Sequence, residues 1–240
     1  MMNDTTSLAA SVAIDIAGHM LWLTPGRAAW HPATRTLFVA DVHLGKAASF
    51  RALGQPVPAG TTQDGLQRLT ALVAAHGATR LVFLGDLLHS AHAQRRATID
   101  PLRHWRDAHA ALACVLVRGN HDSHAGDPPP DLGFDVVDEP WNVPDAPRLL
   151  GAHHPREIAD HAVLAGHWHP AMTLRGPARD RERLPCYCRV GDLLVLPSFG
   201  AFTGASPHAP PAGSTCYAVG GERVWPGLTM AGERSRRPAD

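Results

Sequence analysis

The sequence predicts an α/β protein, a four-layer αββα sandwich with two central mixed β-sheets, and three observations predict it. Short apolar runs of strand length recur along the chain, helical segments with one apolar side lie between the early ones, and five runs end on Asp, Asn or His. Metal-binding residue types at the ends of successive strands converge on one rim, which is where open α/β folds place their ligands.

Residues 1–10 are small and polar and residues 229–240 are charged, so both ends are expected to be flexible around one domain over residues 11–228. Val12–Ile16 and His19–Leu23 read as short strands, an antiparallel start leading through the Pro25-Gly26 turn to the run Thr36–Ala40 and Asp41-Val42-His43. Thr61 or Thr62 is placed to cap a helix carrying Leu66, Leu69, Val73 and His76 on one side, and Gly77 ends it. The strand Arg80–Leu84 then leads to Gly85-Asp86. A second helix is expected from near Asp100-Pro101, with Leu102, Trp105 and Leu112 inward, before the strand Cys114–Arg118 and Gly119-Asn120-His121-Asp122.

Six prolines between Pro128 and Pro147 predict an irregular connection around one or two short strands. Arg148–Ala152 reaches His153-His154, and Ala162–Ala165 reaches Gly166-His167-Trp168-His169. The remainder reads as β through Ala171–Leu174, Leu193–Leu196 and Thr215–Val219, with the polar stretch Arg175–Arg183 as a hairpin tip or loop.

Composition narrows the function classes. The 240 residues carry 22 Lys plus Arg against 22 Asp plus Glu, so no global basic field advertises long nucleic acid, although local patches stay open. No apolar stretch approaches the roughly 20 residues that span a bilayer, and the N-terminus lacks a basic segment followed by an apolar core; the expectation is no membrane and a cytoplasmic location. Cys114, Cys186, Cys188 and Cys216 form no C-x-x-C pairs, which predicts buried or free thiols rather than a zinc ribbon or disulfides.

The strand-end residues suit one chemistry. Hydrolysis of a phosphoester at neutral pH needs a hydroxide nucleophile, neutralised phosphoryl oxygens and a proton for the leaving alkoxide, and two divalent ions supply the first two. Holding both takes a bridging carboxylate and a mixture of imidazole and oxygen ligands. Asp41, His43, Asp86, Asn120, His153, His167 and His169 are such a set, and on extended backbone the i, i+2 spacings of Asp41 with His43 and His167 with His169 point both side chains the same way. Glycines 85, 119 and 166 stand where the chain must turn sharply beside the ions.

Asp41-Val-His43, Gly85-Asp86, Gly119-Asn-His-Asp122, His153 and Gly166-His-Trp-His169 together resemble, in order, the motif set of the calcineurin-like metallophosphoesterases. The resemblance implies one ion on Asp41, His43, Asp86 and His169 and a second on Asp86, Asn120, His153 and His167, with Asp86 bridging. It also implies that His121 contacts the phosphate and protonates the leaving oxygen while Asp122 orients it. A narrower resemblance, in Asp41 to Ala48, Gly85 to Ser90, Leu164 to Pro170, Arg183 to Cys186 and Leu196 to Gly204, is to the bacterial ligase-associated DNA damage response endonuclease (PdeM) group. That implies a phosphodiester substrate, DNA, and a setting in DNA repair with a DNA ligase, a helicase and an exonuclease. The group often has His-Glu-Pro where this chain has His153-His154-Pro155; either histidine could be the ligand, and alignment on the proline favours His153.

The borderline ligand set favours Mn²⁺, with Fe, Zn or a mixed pair open. Lys46, in a Gly-containing loop, reads equally as a phosphate contact and as a solvated lysine, and His89 as a residue behind the ligands or at the substrate rim. Trp168 reads as core or cleft lining. Arg175, Arg179, Arg181 and Arg183 alternate with acids, so a solvated hairpin outweighs a nucleic-acid track, and Pro197 to Gly200 reads as a turn packed under the site. Two alternatives remain: a phosphoesterase for cyclic nucleotides or other small esters, which formal neutrality favours, and a catalytically weak interaction scaffold. Self-association is left open.

Overall fold

The computed structural model describes residues 10–231 apart from 53, 59, 177–179, 202 and 207. Arg179 and most of both termini expected to be flexible therefore lie outside the described residues. At the inner edges of those termini the chain is paired: Ala10 accepts a hydrogen bond from the Val224 amide, and Met230 exchanges backbone bonds with residues 213 and 214.

Strands β1 (Val12–Ile16), β2 (His19–Leu23), β3 (Ala29–His31) and β4 (Thr36–Val39) form an antiparallel run, as expected of the chain's start. The sheet continues in parallel after helices α1 (Lys46–Ala52) and α2 (Thr61–His76). Its remaining members are β5 (Arg80–Leu84), β6 (Ala113–Val117) beyond helix α3 (Arg96–Ala108), and β7 (Phe134–Val137) beyond the short helix α4 (Asn120–Ala125). The second sheet is built from β8 (Trp141–Asn142), β9 (Leu149–Gly151), β10 (Ala162–Ala165), β11 (Ala171–Arg175), β12 (Arg181–Val190), β13 (Leu193–Val195), β14 (Thr215–Gly220), β15 (Arg223–Val224) and β16 (Leu228–Thr229). Both sheets are mixed, the second through parallel pairing of β9, β10 and β13.

Strand alternation sorts the core into layers. Phe38, Ala40, Val82, Leu84, Val115 and Val117 face the second sheet, where Leu149, Leu164, Leu194, Leu196 and Tyr187 meet them. Their neighbours Leu37, Val39, Leu81, Phe83 and Leu116 face Leu66 and Leu69 of α2 and Leu102 and Trp105 of α3. Among the described residues no helix follows β7; the outer face of the second sheet is closed by Ile158, Trp168, Leu174, Leu184 and Met230 packed on a third cluster.

Several local readings differ. Gly60, not a threonine, is the N-cap of α2 and no side chain caps it, because Thr61 is already helical; Gly77 ends the helix in left-handed backbone as expected. α3 begins a turn before Asp100 and carries Pro101 inside, where the ring removes one donor but leaves the buried face of Ile99, Leu102 and Trp105 intact. Leu112 is buried beyond that helix, in the approach to β6. Lys46 opens a helix rather than lying in a loop. The expected Arg175–Arg183 tip is shorter, since β11 runs to Arg175 and β12 starts at Arg181 and continues through Pro185. The four cysteines are buried and free. No helix among the described residues is long and apolar enough to cross a membrane.

Candidate metal centre

The two sheets present the carboxyl ends of their parallel strands at one rim. β4, β5 and β6 are adjacent in the first sheet and β9 and β10 in the second, and a bridge from Ala40 to Ser198 ties the sheets together there. Beyond these ends the chain turns through left-handed backbone at Asp41 (φ 53°), His43 (48°), Asp86 (53°), His167 (68°) and His169 (46°). For residues other than glycine each such conformation costs on the order of 1–3 kcal/mol and persists only where the surroundings over-determine it. Nearby glycines make room: a Cβ on Gly85 would lie 2.1 Å from His153 Nδ1, and one on Gly119 would lie 2.4 Å from Asp86 Oδ1.

All seven candidate ligands come together, in two groups that share Asp86. On one side Asp41, His43 and His169 each offer a donor atom to one small volume, with His169 Nε2 3.5 Å from Asp41 Oδ1 and His43 Nε2 3.7 Å from Asp86 Oδ2. On the other, His153 Nε2 lies 3.5 Å from Asp86 Oδ1, 2.9 Å from Asn120 Oδ1 and 3.1 Å from His167 Nδ1. The Nδ1–H of His153 donates to the Leu84 carbonyl at 3.0 Å, which leaves a bare Nε2 lone pair facing those oxygens. Both ring nitrogens of His43 are buried without a hydrogen-bond partner. Facing acceptors and an orphaned imidazole are what a cation between them would reconcile, so the donor set fits two divalent ions.

The electrostatics favour the neutral, lone-pair form of His43 and His167 and pull His169 the other way. Burial, then the neighbouring Lys46, His169, His121 and His89, push His43 down to about 2. Burial and the rings of His153 and His154 lower His167 against the pull of Asp41 and Asp86. For His169 burial opposes the charge, but the hydrogen bond and charge of Asp41 outweigh it and raise the pKa.

His121 stands beside this centre on α4. Its backbone N–H donates to Asp86 Oδ1 at 2.9 Å, its Nδ1–H donates to the His89 carbonyl at 2.9 Å, and its half-open ring leaves Nε2 3.9 Å from Asp86 Oδ2. Asp122, expected to orient His121, makes its hydrogen bonds to backbone amides and not to that ring. Fully buried, it accepts from the amides of Asp86 (2.7 Å), Gly119 (3.0 Å) and Leu88 (3.1 Å), and burial pushes its carboxyl up to about 6 against those three bonds. It fixes the backbone beneath Asp86 because α4 starts one residue after Gly119 and turns its side chain inward. The orienting group for His121 is instead the His89 carbonyl, and the His89 ring stacks on His121 at 5.2 Å.

His153 is buried within the rim, whereas His154 lies at its mouth and pairs through Nδ1 with Glu139 Oε1 at 2.8 Å. Glu139 was not legible as a site residue; its Oε2 accepts the amides of His153 (2.6 Å) and His154 (2.8 Å). Burial works against its charge, but these bonds prevail and hold its carboxyl below the usual range. The turn at Pro197 to Gly200 does pack under the site: Ser198 Oγ and the Gly200 amide donate to the Asp41 carbonyl at 2.9 and 3.1 Å. Arg27 and Arg68 brace that turn through the carbonyls of Ser198 and Phe199. Lys46 Nζ donates to the Thr203 carbonyl at 3.3 Å; burial lowers its pKa, while Asp86 and Asp41 pull the other way. Arg175, Arg181 and Arg183 sit on β11 and β12, and Arg183 donates to the Ser206 carbonyl.

The family model for calcineurin-like phosphoesterases matches residues 34–169. A crystal structure of the Pseudomonas putida nuclease MPE is 42% identical over 90% of this chain and 99% of its own, with a TM-score of 0.78. YfcE, a phosphoesterase from E. coli, is 18% identical over 81% of this chain and 98% of its own, and the Aquifex aeolicus protein AQ665, of unknown function, is 17% identical over 60% and 82%. Their TM-scores of 0.42 and 0.38 place them too far away to argue from. No curated protein matches the chain.

Proposed function

This chain belongs to the calcineurin-like phosphoesterase family and is a hydrolytic phosphoesterase, and we propose that it is a two-metal phosphodiesterase that cuts DNA, in the manner of an endonuclease of bacterial DNA repair. The single observation that carries the metal reading is the meeting of six donor side chains around Asp86, with the His43 ring buried and unpartnered among them. In this reading Asp41, His43, Asp86 and His169 hold one ion, Asp86, Asn120, His153 and His167 hold the other, and Mn²⁺ is the preferred metal. Ions bound there would supply an activated water and neutralise the non-bridging phosphoryl oxygens.

The chain's own groups do the rest. In its imidazolium form His121, with Nδ1–H fixed on the His89 carbonyl, presents Nε2–H to the substrate side and gives that proton to the departing alkoxide, returning to the neutral ring. Asp122 acts by holding Asp86. His89 sets the plane of His121, and Lys46 adds positive charge at the edge where a phosphate would lie. The nuclease relative, similar over nearly its whole length, supports a phosphodiester substrate. The protein would act in the cytoplasm as one domain over residues 11–228, beside a DNA ligase, a helicase and an exonuclease that could supply the grip a neutral chain lacks.

The test is Mn²⁺-dependent cleavage of single-stranded and duplex DNA beside an aryl phosphodiester, with Asp86→Ala as control. Metal-dependent DNA cleavage lost in the control is the expected result. Turnover of the aryl diester alone would move the substrate to cyclic nucleotides or other small esters.

A further inference from the structure

A cavity adjoins the rim, and one of its walls is the ligand turn itself. It holds about 210 Å³ and is lined by Trp168, Pro170, Ser206, His208, Ala209 and Pro211 among others. Trp168 stands in sequence between His167 and His169, yet its indole packs on the outer cluster of the second sheet and faces this cavity. The opposite wall is fastened to the same turn: the Ser206 amide donates to the His169 carbonyl at 2.9 Å, and Arg183 holds the Ser206 carbonyl.

The lining decides what could enter. Among the described residues it is lined by the tryptophan, prolines, an alanine and Cys188, with His208 and Ser206 as polar residues and no lysine, arginine or carboxylate. It therefore suits neither a phosphate nor a cation held by charge. Its volume is below the roughly 300–1,000 Å³ of pockets that take whole drug-sized ligands, so a single planar group is the fit.

We propose that this cavity receives one unpaired nucleobase of the substrate, stacked on Trp168, while the adjoining phosphate lies at the metal rim; the inference rests on the phosphodiesterase reading of that rim. A base can enter only when it is out of the duplex stack, so the cavity favours single-stranded or unpaired DNA. Stacking of a base on an aromatic side chain is tolerant of sequence and corresponds to about 5- to 150-fold in affinity.

Equilibrium binding of deoxyadenosine 5′-monophosphate and of 2-deoxyribose 5-phosphate, in the presence of Mn²⁺, tests this, because the second carries the same phosphate with an anomeric hydroxyl in place of the base. The native protein should bind the nucleotide about 5- to 150-fold more tightly. The ratio should collapse towards one in Trp168→Ala and in Ala209→Trp, which fills the cavity from the wall opposite the ligand turn. Equal binding by the native protein, or a preference that survives either folded variant, overturns the proposal; should Trp168→Ala fail to fold, Ala209→Trp decides alone. Binding does not depend on turnover. A base preference without hydrolysis of any phosphodiester would leave the cavity standing and sink the reading of the rim.

Discussion

Asp41 and Asp86, at the ends of β4 and β5, carry the negative charge of the rim and are held from beneath by Ser198, Gly200 and the buried Asp122. His153, His167 and His169, beyond β9 and β10, are imidazoles without a carboxylate of their own strands. Their supports are borrowed: the Leu84 carbonyl and Asp41 from the first sheet, and Glu139 from the loop between the sheets. The first sheet thus supplies charge and rigidity, and the second closes the centre with imidazole donors that depend on the first for position. Loss of a first-sheet carboxylate should empty the rim, whereas loss of a second-sheet support should weaken one ion.

The largest effect is expected from Asp86→Ala, since Asp86 reaches His43 with one oxygen and His153 with the other. Metal analysis after reconstitution should fall from two ions to almost none, with activity gone. Two ions retained per chain would break the division of labour. Next comes His121→Ala, which removes no proposed ligand: both ions should stay, and turnover should drop about 10²- to 10⁴-fold if the ring is the general acid. An activated aryl leaving group should restore most of that loss, whereas equal loss on every substrate would assign His121 to phosphate positioning instead.

Glu139→Gln probes the second half. The amide keeps one acceptor but not the charge beside His153, and removal of a support behind a metal ligand typically costs about 10- to 100-fold in metal affinity. One ion should weaken by that order while the other binds as before, read by titration calorimetry with Mn²⁺. Equal weakening of both would show that the halves are not separable.

The same asymmetry governed what the sequence disclosed. The motifs around Asp41, Asp86 and Asn120 directly follow parallel strands whose apolar runs mark their ends, so strand, turn and donor are read from one local stretch. Glu139 carries no such mark; it lies in a proline-broken loop and meets His153 only because β8 pairs antiparallel with β9. Asp122 misled for a related reason. Its adjacency to His121 invites a pair, but on a helix neighbouring side chains diverge by about 100°, and Asp122 turns inward to three amides while His121 turns out. The long strand β12 was hidden by Pro185, whose missing donor the pairing with β11 tolerates. Left-handed backbone at five of the proposed ligands leaves no trace in residue type, because Asp and His are ordinary strand-end residues.

The smallest effect separates the frame of the first sheet from its rim. His31, on β3 and away from the proposed ligands, is buried with Nδ1 2.8 Å from Thr34 Oγ1, and burial, then the nearby His19, depress its pKa to about 4. A histidine whose folded pKa lies below its unfolded value contributes stability that is fully present above about pH 6.5 and is lost as the pH falls towards the folded value. Unfolding free energy of the metal-free protein should therefore decline between pH 6.5 and 4, with His31 contributing at most about 1.4 kcal/mol per pH unit. His31→Gln should remove that share of the slope without altering Mn²⁺ affinity at pH 7.5. If the slope is unchanged, the acid sensitivity belongs to the rim; if metal affinity falls as well, the antiparallel start of the sheet is part of what holds Asp41 in place.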